Sequence, residues 1–122
     1  MIIQESGEMY LETILVLSRE KECVRSVDIA RKLGYSKPSV TRAMKNLKED
    51  GYIDIDSFGY ITLEDKGREV ADRIYERHMI LTKCLVSLGI DPQIAEEDAC
   101  RIEHIISDET FRRIREYTDS IH

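Results

Sequence analysis

The chain has 122 residues, of which 42% are hydrophobic and 34% are charged, and its formal net charge is -6. This balance is typical of a folded globular protein with one compact domain or two small ones, and it excludes a disordered chain. No apolar run approaches the roughly 18 residues of a membrane span, and the N-terminus lacks a secretory pattern, so we expect a cytoplasmic protein.

Positive charge is concentrated in one segment of the chain. Residues 19–48 contain nine Lys or Arg against three Asp or Glu, so this segment carries +6 and the remainder carries -12. This sharp separation of positive and negative charge favours a basic surface that binds nucleic acid on an otherwise acidic protein. The alternative is a solvated basic helix surface without a partner.

The segment up to residue 51 predicts three helices. Residues 8–20 carry apolar side chains at a spacing that predicts a helix with a broad buried face. Ser26 is the predicted N-cap of a short second helix, which Gly34 ends. Pro38 begins the third helix and Gly51 ends it. Two short helices joined by a tight turn predict a helix-turn-helix.

The polar face of the third helix suits contacts with DNA. Hydroxyl and basic groups bind phosphate oxygens and base edges. These groups belong to Ser39, Thr41, Arg42, Lys45 and Lys48. The alternative is an ordinary helical hairpin with a polar outer surface.

A β-hairpin follows the third helix. Apolar and polar residues alternate over residues 52–55 and 60–63, with Gly59 in the turn. Three helices followed by a hairpin have the order of a winged helix, in which the hairpin is the wing and lies against the DNA backbone. This order favours DNA binding over the ordinary helical hairpin.

The remainder of the chain predicts helices alone. A long helix covers residues 64–88, a second follows an Asp-Pro turn and runs through residue 106, and a third begins at Ser107 or Asp108. The predicted fold class is therefore mainly α with a small β-hairpin. We expect a winged helix-turn-helix domain over residues 1–63 and a helical dimerisation domain over residues 64–122.

Cys100, Glu103 and His104 are spaced at i, i+3 and i+4, which places them on one face of a predicted helix. A thiol, a carboxylate and an imidazole can bind a divalent metal, and burying them without a partner would be costly. Glu96 lies one turn before Cys100 on the same face. A solvated surface and a packed polar cluster are the alternatives.

Other residues could complete such a site. Met9 and Glu12 are at i and i+3 on the first helix, although a Met there ordinarily fills a core. His78 lies on the apolar stripe of the long helix, where a lone His is more often a satisfied core residue. The chain has no CxxC pair, so a closed structural zinc site is not expected.

Four segments, in this order, resemble the diphtheria toxin repressor family of metal-dependent transcriptional repressors: EMYLETI, DIARKLGYSKPSVTRAMKNLKEDG, ITLEDKG and EDACRIEHIISDE. The manganese transport regulators are the shorter branch of this family. EMYLETI and ACRIEHIISDE are the most specific parts of the resemblance. The sequence corresponds to the short form, without the SH3-like third domain of the iron-responsive branch. Two alternatives stay open: a natural two-domain member, or a longer protein trimmed before that domain.

The resemblance implies that the iron-type activating site is formed by Met9, Cys100, Glu103 and His104. An ancillary site of the same branch matches at His78, but Thr82 and Glu96 occupy the positions of its Glu and His. In the manganese branch the Met position is Asp and the Cys position is Glu. Only the first-helix Glu of that branch agrees, as Glu12, so the predicted site is mixed.

A thiolate and a thioether favour a softer ion than manganese. We therefore expect one or two divalent transition-metal ions per subunit, with Fe(II) as the first choice and Mn(II) as the second. Co(II), Ni(II) and Zn(II) are substitutes.

The resemblance also implies that the protein binds double-stranded operator DNA as a homodimer, is not an enzyme, and acts on neither a membrane nor a small organic substrate. The expected DNA-contacting residues are Ser26, Ser36, Lys37, Pro38, Ser39, Thr41, Arg42, Lys45 and Lys48. Among them Arg42 is the expected base reader, while Lys45 and Lys48 contact phosphate. Metal held by ligands from both domains would set the spacing of the two recognition helices in the dimer.

Two rival interpretations remain open. A winged-helix regulator could sense another signal, such as an oxidant reacting with Cys100. A metalloenzyme could use His78, Glu103 and His104 as a mononuclear iron site. The sequence contains neither a nucleophile elbow nor a phosphate-binding loop, so the regulator is favoured.

Overall fold

The computed structural model describes residues 5–121 and is mainly α-helical. Its elements, in order, are α1 (Glu5–Glu20), α2 (Ser26–Leu33), α3 (Lys37–Glu49), β1 (Ile53–Ile55), β2 (Ile61–Leu63), α4 (Asp65–Ser87), α5 (Pro92–Ile102) and α6 (Asp108–Ser120). The predicted fold class is confirmed. None of the described helices combines the length and apolarity needed to cross a membrane.

The chain divides into two compact units, Met1–Asp72 and Arg73–His122, and the division falls within α4. The predicted boundary after residue 63 therefore stays a prediction. The core of the first unit is formed by side chains at helical spacing on α1, α2 and α3. Its fully buried members include Leu11, Ile14, Leu15, Ile29, Val40 and Met44.

The predicted helix-turn-helix is present in the first unit. Gly34 ends α2 with a φ of 72°, a left-handed conformation in which a side chain would be strained. Ser36 is the N-cap of α3, and its hydroxyl accepts a hydrogen bond from the Ser39 backbone N–H at 3.3 Å. Pro38 lies in the first turn of α3, where its missing N–H costs no helical hydrogen bond.

The predicted N-cap of α2 is wrong by one residue. Ser26 is the first helical residue, and Arg25 is the N-cap. The Asp28 carboxylate accepts a hydrogen bond from the Arg25 backbone N–H at 2.9 Å and another from Lys21 Nζ at 2.6 Å. The start of α2 is therefore capped by a charged side chain of its first turn, because a carboxylate near a helix N-terminus satisfies exposed N–H groups.

Asp28→Asn is expected to destabilise the first unit by about 1–2 kcal/mol at pH 7. The hydrogen bond from Lys21, followed by the Arg25 N–H, holds the pKa of Asp28 below its ordinary value. Because the folded pKa is depressed, the stabilisation is present above the ordinary carboxyl pKa of about 3.9 and is lost as pH falls through the folded pKa.

Urea denaturation of the Asp28→Asn variant and the wild type at pH 7 and at pH 3 tests this expectation. The difference in the free energy of unfolding should shrink at pH 3. The exposed Asp54→Asn variant is the control, with little change at either pH. An equal cost for Asp28→Asn at both pH values would contradict the prediction.

The predicted hairpin is also present. β1 and β2 are antiparallel, with Ile53 opposite Leu63 and Ile55 opposite Ile61. Ile53 and Ile61 are almost completely buried, so one face of the hairpin packs on the core of the first unit.

The second unit consists of the larger part of α4 with α5 and α6, and its buried side chains include Ile74, Leu81 and Phe111. The prediction that the second of these helices runs through residue 106 is wrong, because α5 ends at Ile102. The buried Arg77 donates hydrogen bonds from Nη1 to the carbonyl of Glu103 at 3.2 Å and to that of Ile106 at 2.9 Å. These carbonyls are thus satisfied by a guanidinium, and the helix does not continue.

Candidate metal centre and DNA-binding surface

Glu103 is the centre of a buried polar cluster in the second unit. Its carboxylate has no exposed surface, and Oε2 lies 2.8 Å from His78 Nδ1. Its second oxygen, Oε1, lies 3.3 Å from His104 Nε2, and the His104 side chain is 3% exposed. A buried carboxylate requires compensating partners, and two imidazoles on opposite oxygens are groups that can also ligate a metal.

Glu96 and Cys100 border this cluster from the more accessible side. Glu96 Oε1 lies 3.8 Å from His78 Nε2, and its side chain is 68% exposed. A cavity of about 340 Å³ is lined by His78, Gln93, Glu96, Glu97 and Cys100. The structure therefore brings five of the predicted ligand residues into one region of the second unit.

The expectation that Cys100, Glu103 and His104 share one face of a helix is met only in part. Cys100 belongs to α5, and Glu103 is the C-cap with helical φ and ψ of -57° and -26°. His104 lies beyond the helix, in a turn. Cys100 is exposed whereas Glu103 is fully buried, so the thiol can be reached from solvent while the carboxylate cannot.

Arg77 positions Glu103 and was missed by sequence reasoning. It precedes His78 on α4, so adjacent residues hold the main chain and the side chain of Glu103. Arg77 also forms an ion pair with Asp108 at the start of α6. Arg77 follows Ile74 by three residues, and this spacing places it on the buried face of α4. The sequence alone does not show which charged partner such a buried arginine has.

Met9 and Glu12 lie on α1 in the first unit, and both are partly buried. The Tyr35 hydroxyl donates a hydrogen bond to the Met9 thioether at 3.7 Å, and the Thr13 hydroxyl donates one to the Met9 carbonyl at 2.8 Å. Tyr35 belongs to the turn between α2 and α3. Met9 therefore contacts the helix-turn-helix, instead of acting only as core filler.

The predicted DNA-contacting side chains are on the outer surface of the first unit. The exposed members are Ser36, Lys37, Pro38, Ser39, Thr41, Arg42, Lys45 and Lys48, whereas Ser26 is partly buried. The opposite side of α3 is buried through Val40, Met44 and Leu47. Lys48 Nζ donates a hydrogen bond to the Ile55 carbonyl at 3.3 Å, which connects α3 to the hairpin.

The donor set of the second unit fits a divalent transition metal. Imidazole nitrogen, carboxylate oxygen and thiol sulfur are its ordinary protein ligands, and the Glu103 carboxylate is buried among imidazoles. A winged helix with an exposed basic helix, together with such a cluster, defines a metal-dependent transcriptional regulator.

Two family models match the chain: the N-terminal DNA binding domain of iron dependent repressors over residues 3–58, and their metal binding and dimerisation domain over residues 64–122. The chain belongs to the iron-dependent repressor family.

Individual relatives agree with this assignment. The transcriptional regulator MntR of Escherichia coli O6:H1 is 38% identical over 109 residues, which cover 89% of this chain and 70% of MntR. The diphtheria toxin repressor of Corynebacterium glutamicum is 30% identical over 119 residues, covering 97% of this chain and 52% of the repressor. A solved manganese-dependent transcriptional repressor in complex with manganese superimposes with a TM-score of 0.86 at 28% identity, covering 93% of this chain and 52% of that one.

The predicted resemblance is thus confirmed, and so is the class of protein, because members of this family are transcriptional regulators and not enzymes. The chain spans about half the length of the diphtheria toxin repressor and of the solved manganese-dependent repressor. The residue-level metal and DNA sites stay predictions.

Proposed function

We propose that the chain is a repressor that binds operator DNA as a homodimer when its metal site is loaded, and that the metal is Fe(II). The observation that carries this proposal is the fully buried Glu103 carboxylate between His78 and His104, within the part of the chain that matches a metal binding domain. The rest of the cluster supports it, because an exposed thiol and an exposed carboxylate border the same region.

The proposed ligands are Met9, Glu12, His78, Glu96, Cys100, Glu103 and His104. A bound cation would supply positive charge that stabilises the Glu103 carboxylate and favours the thiolate form of Cys100, whose proton would be released to solvent. His78 and His104 already flank Glu103, so these two residues hold the carboxylate in position. The thiolate and the Met9 thioether favour Fe(II) over Mn(II).

Mn(II) is the second candidate. A manganese-dependent repressor solved with manganese has a closely similar fold. The oxygen and nitrogen ligands of this chain are also sufficient for a harder ion, since Glu12, Glu96 and Glu103 supply carboxylates. Ligation by the Cys100 sulfur is the feature that distinguishes the two candidates.

The surface of the second unit supports a homodimer. Large apolar side chains that a second copy could cover are 39–70% exposed there. They are Met79, Val86, Leu88, Ile94, Ile105, Tyr117 and Ile121. A two-fold dimer would present two copies of α3 to successive major grooves.

Tenfold tighter DNA binding in the loaded state requires only about 1.4 kcal/mol of coupling between metal binding and DNA binding.

A cobalt(II) titration of the reduced protein, followed by absorbance, tests the metal site. A near-ultraviolet thiolate-to-metal band that is lost in Cys100→Ser would support the Fe(II) proposal. Cobalt binding without that band would favour the Mn(II) candidate. Absence of cobalt binding, or equal DNA affinity with metal and with chelator, would overturn metal-dependent repression.

Arg42→Ala is expected to relax the sequence preference of DNA binding. Arg42 is exposed on the outer face of α3, and an arginine that pairs with guanine contributes about 1–3 kcal/mol of discrimination. Lys45→Ala and Lys48→Ala should instead weaken binding to all sequences alike and lower the salt dependence by about one counterion each. Binding-site selection with each metal-loaded variant measures the difference. The same preferred site for Arg42→Ala and wild type would contradict this assignment.

A further inference from the structure

Tyr35 connects the turn of the helix-turn-helix to Met9, and the proposed function gives this tyrosine no role. Its hydroxyl donates a hydrogen bond to the Met9 sulfur at 3.7 Å, and the two residues are 26 positions apart in the sequence. Its ring packs edge-on against that of Tyr10, with centroids 6.1 Å apart and planes inclined by 79°. Tyr35 is nevertheless 43% exposed, so burial of apolar surface alone does not account for its position.

The main chain of Tyr35 is fixed by the end of α2. Its N–H donates a hydrogen bond to the Ala30 carbonyl at 3.1 Å, and the N–H of Gly34 donates to the same carbonyl at 2.8 Å. The next residue, Ser36, is the N-cap of α3. A side chain that extends from such a turn and packs on a buried ring has little rotational freedom left. The Tyr35 hydroxyl is therefore a donor with a defined position on α1.

The Met9 thioether requires such a donor if its sulfur is to be ordered before a metal binds. Methionine is unbranched and rotates about several side-chain bonds, so fixing its sulfur costs conformational entropy. The main chain of Met9 is already ordered, because it lies within α1 and its carbonyl accepts a hydrogen bond from the Thr13 hydroxyl at 2.8 Å. The hydrogen bond from Tyr35 engages one lone pair of the sulfur and leaves the other for a cation.

We propose that Tyr35 is a positioning residue for Met9, which holds the thioether sulfur in place for a thiophilic divalent cation and so raises the preference of the site for soft over hard metal ions. The inference rests on the proposed function, in which Met9 is a ligand. A group that orients a metal ligand through a hydrogen bond changes the affinity without touching the metal. The effect is confined to cations that use sulfur, because a hard ion binds through carboxylates and water.

Methionine methyl NMR of the metal-free full chain tests the contact itself. The chain has four methionines, and the signal that is lost in Met9→Leu identifies that of Met9. In Tyr35→Phe, which keeps the ring and removes the hydroxyl, the Met9 signal should move toward the position of a freely rotating methionine. The signal of Met79, in the second unit, is the internal control and should not move. An unchanged Met9 signal in Tyr35→Phe would overturn the inference.

Metal affinity tests the consequence of this contact. Competition with a chelating dye under reducing conditions measures the Cd(II) and Mn(II) affinities of the full chain. Tyr35→Phe should weaken Cd(II) binding about tenfold and change Mn(II) binding by less than about twofold. Tyr60→Phe, which removes a tyrosine hydroxyl elsewhere in the first unit, is the matched control and should bind both ions like the wild type. Met9→Leu should also weaken Cd(II) binding, and Tyr35→Phe should have no further effect in that background.

The outcomes separate the failure of this inference from the failure of the proposed function. Weaker Cd(II) binding in Met9→Leu with unchanged binding in Tyr35→Phe would overturn the inference and leave Met9 among the proposed ligands. Equal losses of Cd(II) and Mn(II) affinity in Tyr35→Phe would also overturn it, because the tyrosine would then act through the fold, which thermal denaturation checks. Unchanged Cd(II) affinity of Met9→Leu would remove Met9 from the ligands and the inference with it. Absence of binding of either ion to the wild type would overturn the proposed function itself.

Discussion

Glu103→Gln is expected to weaken metal binding by about 100-fold or more while leaving the metal-free protein folded. Glu103 offers two carboxylate oxygens with no exposed surface, between His78 and His104. The substitution keeps the size of the side chain and its capacity for hydrogen bonds but removes the negative charge that a cation requires. Metal-dependent DNA binding should be lost at metal concentrations that saturate the wild type.

The stability of the metal-free protein should respond differently from the metal affinity. Burying an uncharged amide in place of a carboxylate removes a desolvation cost, so we expect the free energy of unfolding to change by no more than about 1 kcal/mol. Cobalt titration and urea denaturation in chelator measure the two quantities separately. Glu97→Gln, at an exposed carboxylate on the cavity that His78 and Cys100 line, is the control and should bind cobalt like the wild type. Unchanged cobalt affinity of Glu103→Gln would remove the central ligand from the proposal.

Gly67→Ala is expected to destabilise the first unit by about 3 kcal/mol or more. Gly67 is buried in the first turn of α4, and a Cβ atom there would lie 2.1 Å from the Tyr52 carbonyl oxygen and 3.4 Å from Leu11 Cδ2. The Tyr52 oxygen cannot move freely, because it accepts a hydrogen bond from the Glu64 N–H at 3.0 Å. Relief of the clash would therefore separate α4 from the hairpin.

Urea denaturation of Gly67→Ala, with the DNA affinity measured in parallel, tests this expectation. The neighbouring Arg68→Ala variant is the control, since Arg68 is exposed and its ion pair with Asp72, at 3.8 Å, contributes little. A free energy of unfolding for Gly67→Ala within about 1 kcal/mol of the wild type would show that the backbone accommodates a methyl group and would contradict the prediction.

Local sequence pattern was sufficient for the architecture of this protein. Apolar spacing on α1 predicted its buried face, and alternation around Gly59 predicted the hairpin, because burial of one face imposes a period of 3.6 or 2 residues. Turn chemistry at Gly34 and Pro38 located the helix-turn-helix. The sequence also contained the candidate ligands, since an i, i+3, i+4 spacing brings side chains together without tertiary information.

Tertiary contacts decided what spacing alone could not. The end of α5 at Ile102 depends on hydrogen bonds from Arg77, which is 26 residues away from Glu103. The start of α2 similarly depends on Lys21 and Asp28, which are seven residues apart. The sequence placed Glu103, Cys100 and His104 on one helical face, but their different exposure follows from packing against α4. The periodicity of apolar residues predicts which residues share a surface. Whether a charged side chain can be buried depends on partners, distant in the sequence, that compensate its charge.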